Sequence, residues 1–177
     1  MTGRARVPRR LPLDAPSPPS TAVPASPPPS RAAHQPLSLG VLSDVLGYHI
    51  AQAAVTTYGT FEAHIGQPHH LRKVEYSLLM LVLANGPLTP KRLGHALALS
   101  APNLTLLLDR LQGRGLIRRE RSPTDGRSQN IVLTDDGRRL AAITAVAAGP
   151  MERELDERLS RAERLMLIEL LRKVAGR

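Results

Sequence analysis

The chain has 177 residues, with 24 Lys and Arg against 15 Asp and Glu for a formal net charge of +9, no Cys, no Trp and a single Phe. The absence of cysteine excludes a disulfide framework, thiol redox chemistry and cysteine-based zinc fingers, no apolar run reaches membrane-span length, and the basic N-terminus lacks the apolar stretch of a secretory signal. A core of Leu, Ala, Val and Ile suits packed helices, the positive balance favours a polyanionic partner such as nucleic acid, and the expected location is the cytoplasm.

Residues 1–36 hold ten of the 16 prolines, including Pro27-Pro28-Pro29. Such a segment buries too little apolar surface to offset its ordering entropy, so it is expected to be a disordered Pro/Arg-rich tail. Arg4, Arg6, Arg9, Arg10 and Arg31 against Asp14 make it basic. It reads either as an arm adding non-specific DNA affinity or as a plain solvated tail. The preference for Arg over Lys is also what a GC-rich coding bias produces.

From Leu37 the pattern turns helical. Leu39, Leu42, Val45, Leu46 and His49 recur at three- and four-residue steps, and the pattern runs on to Ile65, where Gly66-Gln67-Pro68 should break it. A second helix is predicted over 71–84, with Val74, Leu78, Leu81 and Val82 facing inward and Asn85-Gly86-Pro87 ending it. Thr89-Pro90 is an N-cap followed by a proline that loses no hydrogen bond, so a short third helix spans about 90–96, with Ala98-Leu99 as its turn. Ser100 caps a fourth helix over 101–114, with Leu104, Leu107, Leu108 and Leu111 as its buried stripe. Residues 116–121 and 129–133 read as two strands, joined through Asp125-Gly126, which supplies the positive φ of a hairpin turn. Thr134 caps a fifth helix that Gly149-Pro150 should kink or interrupt. Ser160 and Glu163 form a capping box for a last helix carrying Leu167, Ile168, Leu171 and Val174 on one face.

The helix pair and the hairpin after it carry the functional signal. With the leucine stripe of 101–114 buried, Pro102, Asn103, Leu106 and Arg110 are left for a B-DNA major groove, which accepts one α-helix. Asn103 matches the donor and acceptor of adenine, Leu106 a thymine methyl, and Ser100 and Thr105 phosphate oxygens. Leu106 is equally readable as one more core residue. In the hairpin, Arg118, Arg119, Arg121 and Arg127 surround a tip with one acid, Asp125, beside Ser128. A narrow minor groove attracts an inserted Arg, and Asp125 is placed to hold Arg127 by a charge-assisted bond. The alternative is a solvated hairpin that protects its edge with charge.

At SAPNLTLLLDRL, GRGLIRR, DGRS and the closing VLT with its later glycine, the sequence resembles the MarR family of winged-helix transcription regulators, over about residues 37–174. The family's wing Asp-x-Arg pair falls on Asp125 and Arg127. The resemblance implies a mainly α fold with a small β-hairpin wing: a winged helix-turn-helix lobe at about 70–134 and dimerisation helices at about 37–66 and 135–177. It also implies a homodimer on palindromic double-stranded DNA, acting as a repressor; many similar proteins release DNA when a small molecule binds. Position 106 often carries a basic or polar residue in such proteins; here it is Leu, so no operator sequence carries over. Terminal helices with several apolar faces point to a dimer independently, since a twofold pair sets recognition helices about 34–36 Å apart, one DNA turn.

Other chemistry is thin. His64, His69 and His70 near Glu62 and Glu75 are a possible zinc set, and Tyr48, Tyr58, Phe61 and Tyr76 are candidate linings for an effector pocket, although ordinary packing accounts for both. No phosphate loop, metalloprotease helix or nucleophile elbow is present, so neither an enzyme nor a cofactor is expected. The alternative readings are a winged-helix protein-interaction module and a zinc-sensing regulator.

Overall fold

In the computed structural model the described residues are 37–121 and 129–176. The expected tail, 1–36, therefore lies outside them, as does the hairpin tip. The chain divides into two units, Met1–Gly40 and Val41–Arg177. Of the first, residues 37–39 are irregular and exposed; the second carries the fold.

A 3₁₀ turn (Gly40–Asp44) precedes helix α1 (Leu46–Phe61), a π-helical turn (Glu62–Gly66) and the short α2 (Gln67–His69). The expected single helix from Leu37 is thus shorter at its start and longer at its end. Gly66-Gln67-Pro68 does not break it, because Pro68 sits in the first turn of α2, where a missing N–H costs little. The chain leaves the helix at His70, with φ of 52°. Then follow α3 (Lys73–Asn85), α4 (Pro90–Leu97), α5 (Ala101–Gly113), strands β1 (Ile117–Arg121) and β2 (Gln129–Leu133), α6 (Asp135–Asp156) and α7 (Arg161–Val174).

The core lies where α3, α4, α5 and the hairpin meet. Leu78, Leu79, Leu93, Leu111, Ile117 and Ile131 are sealed there, with Leu104, Leu107 and Leu108 closing the α5 side. The strands pair antiparallel, Ile117 opposite Leu133 and Arg121 opposite Gln129. Leu88 adds a third, one-residue rung: it exchanges backbone bonds with Ile131 at 3.2 and 2.8 Å.

Helix α6 runs through Gly149-Pro150 without interruption, so of the two expected effects, a kink or a break, the break does not occur. Proline removes one backbone donor there, but Ala147 and Met151 pack against the core on either side of it, and that burial outweighs a single missing bond. The cap expected at Thr134 is made: its hydroxyl accepts from Gly137 N at 3.0 Å and donates to the Gly115 carbonyl at 2.6 Å. The Ser160–Glu163 capping box is also closed, and Ser160's hydrogen bonds hold the Glu163 carboxyl below its ordinary pKa. Helix α7 has no buried residue in the single chain.

Candidate nucleic-acid interface

Helices α4 and α5 meet at a tight corner. Ala98 takes the left-handed conformation, φ 53°, and Leu99 N bonds back to Gly94 O at 3.0 Å. Thr89 caps α4 through Arg92 N at 3.4 Å. Ser100 occupies the N-cap position of α5, but its side chain makes no cap hydrogen bond, which leaves its hydroxyl and the first amides of α5 facing outward.

The leucine stripe is buried as expected, and the opposite face carries Pro102, Asn103, Thr105, Leu106 and Arg110, all exposed. Leu106 is 68% exposed, which excludes the core alternative for it. Thr105 donates its hydroxyl to Ala101 O at 3.0 Å; its oxygen lone pairs remain outward.

Three of the arginines singled out from sequence, Arg110, Arg118 and Arg119, are held by acids. Arg110 Nε lies 2.9 Å from Glu75 Oε1, and Arg114 Nη1 donates to Glu75 Oε2 at 3.3 Å. Glu75 itself is fully buried, and its Oε2 also accepts from Arg72 N at 2.8 Å. The Arg110 approach lacks hydrogen-bond alignment, so Oε1 is held by charge and has no donor aimed at it. Sequence reasoning placed Glu75 only beside a hypothetical zinc set. A usable signal was present, because positions 75, 78, 79 and 82 make one helical stripe, and an acid in such a stripe needs a buried partner. Arg119 reaches from β1 to α5, with Nη2 2.6 Å from Asp109 Oδ1 and Nη1 3.1 Å from Gln112 Oε1. It braces the wing against the helix. Arg118 pairs with Glu120, and Arg121 is exposed at the end of β1. Asp125, Arg127 and Ser128, with the suggested Asp125–Arg127 bond, lie outside the described residues.

The proposed zinc set is not assembled among the described residues. His64 Nε2 contacts Glu154 at 2.7 Å, Glu75 belongs to the arginines, and no group of three metal-ligating side chains forms there. Of the four aromatics, Tyr58, Phe61 and Tyr76 do line one cleft, of 270 Å³, with Lys73, Met151 and Glu152. Lys73 Nζ sits 3.1 Å above the Tyr58 ring, and burial, then the nearby Glu152 charge, raise the Tyr76 pKa. Tyr48 is elsewhere, edge-on to His49.

Helix α5 and the β1–β2 hairpin, joined by the Arg119–Asp109 ion pair, form a winged-helix arrangement, and comparison with known proteins agrees. The MarR family profile matches residues 71–129, which include α3, α4, α5 and β1. The transcriptional repressor CouR bound to a 23-mer DNA duplex superposes with a TM-score of 0.70 at 36% identity, covering 80% of this chain and 99% of CouR. This chain belongs to the MarR family. CouR bound to p-coumaroyl-CoA aligns at 32% identity and a TM-score of 0.68, over 79% of this chain and 98% of that one. A putative transcriptional regulatory protein for the hcr operon of Thauera aromatica is 27% identical over 76% of this chain and 81% of its own length. MarR-family proteins such as these are transcriptional regulators, not enzymes, and the mainly helical fold with its two-stranded wing is theirs. Among the described residues no helix is long and apolar enough to cross a membrane.

Proposed function

We propose that this chain is a homodimeric repressor that reads a palindromic DNA operator and is released by a small-molecule effector. The observation that carries the reading is the exposed face of α5, with Asn103 and Leu106 projecting from a helix whose other side is sealed. A major groove accepts such a rod, and amide and methyl contacts there carry sequence information. Arg121 and Arg127 supply phosphate or minor-groove contacts from the wing, and most of the affinity is electrostatic. The duplex-bound CouR structure supports the DNA partner, and CouR bound to p-coumaroyl-CoA supports an effector. The Tyr58–Phe61–Tyr76 cleft is the place for such a ligand, because aromatic faces and one displaceable cation, Lys73, suit an aromatic anion or its thioester.

Selection of duplexes from a random library by the native protein tests the reading; recovery of no common sequence would reject it. On the selected duplex, Asn103→Ala relaxes the preference at one base pair in each half-site, at a cost of about 1–3 kcal/mol. A base-substitution scan with the same profile for both proteins would remove Asn103 from the readout. Arg127→Ala weakens binding to every sequence by a similar modest factor and flattens the dependence of log K on log salt by about 0.9 for each phosphate no longer neutralised. An unchanged slope would take Arg127 off the backbone.

A further inference from the structure

Among the described residues Glu75 is the sole fully buried charged side chain. It lies at the third position of α3, yet both charges that face it come from α5: Arg110, one turn before the helix end, and Arg114, its C-cap. A carboxylate removed from water in this way is costly unless paired. Its pairing is lopsided. Oε2 has two hydrogen-bond donors, Arg72 N and Arg114 Nη1, while Oε1 faces Arg110 without an aligned donor. The two arginine side chains are part-exposed, 44% and 30%, and Arg110 lines the same cleft as Asn103 and Leu106. Asn103, Leu106, Arg110 and Glu75 share the walls of one 380 Å³ cleft, which places the carboxylate directly behind the reading residues.

We propose that Glu75 is a positioning residue for DNA reading: its buried carboxylate fixes the setting of α5 through Arg110 and Arg114 and keeps both guanidiniums from non-selective contact with phosphates. The proposal rests on the DNA-reading function above. A buried ion pair contributes little net stability but specifies geometry where its alternatives leave a charge unpaired. Here geometry matters because base contacts need α5 at a set depth and angle, whereas phosphate contacts tolerate displacement. Two freed arginines add affinity for any duplex. Glu75 thus acts on discrimination rather than on overall grip.

The test compares Glu75→Gln with the native protein on the duplex that the native protein selects and on an unrelated duplex of equal length. Gln keeps the shape and an acceptor for Arg72 N but drops the charge, and part-exposed guanidiniums can turn to water. The expected result is a fall of about tenfold in the ratio of the two affinities, the scale of removing one base pairing, while affinity for the unrelated duplex holds or rises and its salt slope steepens by about one or two phosphate contacts. Glu75→Asp, which retains the charge, recovers part of the ratio. A purely structural role would instead lower both affinities together, in step with the folded fraction. An unchanged ratio in folded Glu75→Gln protein overturns the proposal. Should that variant not fold, Arg114→Gln, altered at an exposed helix end, is expected to lower the ratio severalfold at constant affinity for the unrelated duplex, and an unchanged ratio there overturns it equally. Failure of the native protein to select any sequence is a separate outcome and rejects the DNA-reading function itself.

Discussion

Replacing Gly137 by Ala lowers the thermal midpoint by about 10 °C, or leaves no folded protein to measure. An added Cβ would fall 1.9 Å from the Leu116 carbonyl oxygen and 2.9 Å from its carbon. These are backbone atoms and cannot rotate away. The Leu116 peptide is pinned on every side: its N–H bonds to Leu111 O at 3.0 Å, its carbonyl accepts from Thr134 N at 3.1 Å, and the Gly115 carbonyl before it accepts the Thr134 hydroxyl. Room for a methyl group means tearing the start of α6 from the start of the wing. Overpacking costs about 1–3 kcal/mol, and two displaced hydrogen bonds add about 1 kcal/mol each. The sum of roughly 3–5 kcal/mol is a large share of a domain's stability and corresponds to about 2–4 °C per kcal/mol at this chain length. Gly149→Ala is the control. It lies in the same helix with nothing within 4 Å of the added Cβ, so helix propensity should make it neutral or stabilising by up to about 1 kcal/mol. Coincident melting curves for Gly137→Ala and the native chain would show that the Leu116 peptide yields.

The second large effect concerns α7. Met166, Leu170, Leu171 and Val174 are exposed in the single chain, as are Leu46 and Val55 of α1. This is more apolar helix surface than a monomer ordinarily leaves in water, and a twofold partner covering it is the arrangement proposed for the working protein. Leu170→Glu with Leu171→Glu adds two charges to this surface without entering the protomer's core. Sedimentation equilibrium should then report the mass of one chain, and affinity for the selected palindrome should fall by about 10² or more, because the second half-site no longer binds as part of the same molecule. Retention of the dimer would move the interface elsewhere. A monomer with native affinity would remove dimerisation from the DNA-reading mechanism.

The elements around the site were legible because each is specified locally. Thr89-Pro90, Ser100, Thr134 and Ser160 mark helix starts by their own capping chemistry or position, and the α5 leucines declare their buried face by spacing. The first helix was misjudged at both ends. Leu37–Leu42 looks periodic, yet its Leu and Val side chains are exposed and bring no burial to support a helix, and Gly66-Gln67-Pro68 looks like a break but falls where a helix tolerates proline. The helix continues past Pro150 for a related reason, since local propensity does not register the core contacts of Ala147 and Met151.

By itself, the sequence determined the order of the elements, the buried stripe of α5 and the family, because these follow from residue spacing and side-chain chemistry along a short stretch of chain. Only the tertiary structure decided that Leu106 stands in solvent, that Arg119 braces the wing against Asp109, and that Glu75 claims Arg110 and Arg114. Arg110 and its partner Glu75 are far apart in the chain, and an arginine's sequence neighbours do not reveal whether its charge meets a phosphate or a buried carboxylate. That choice depends on which acid the packing of α3 against α5 removes from water, and an ion pair gains its strength from that loss of solvent.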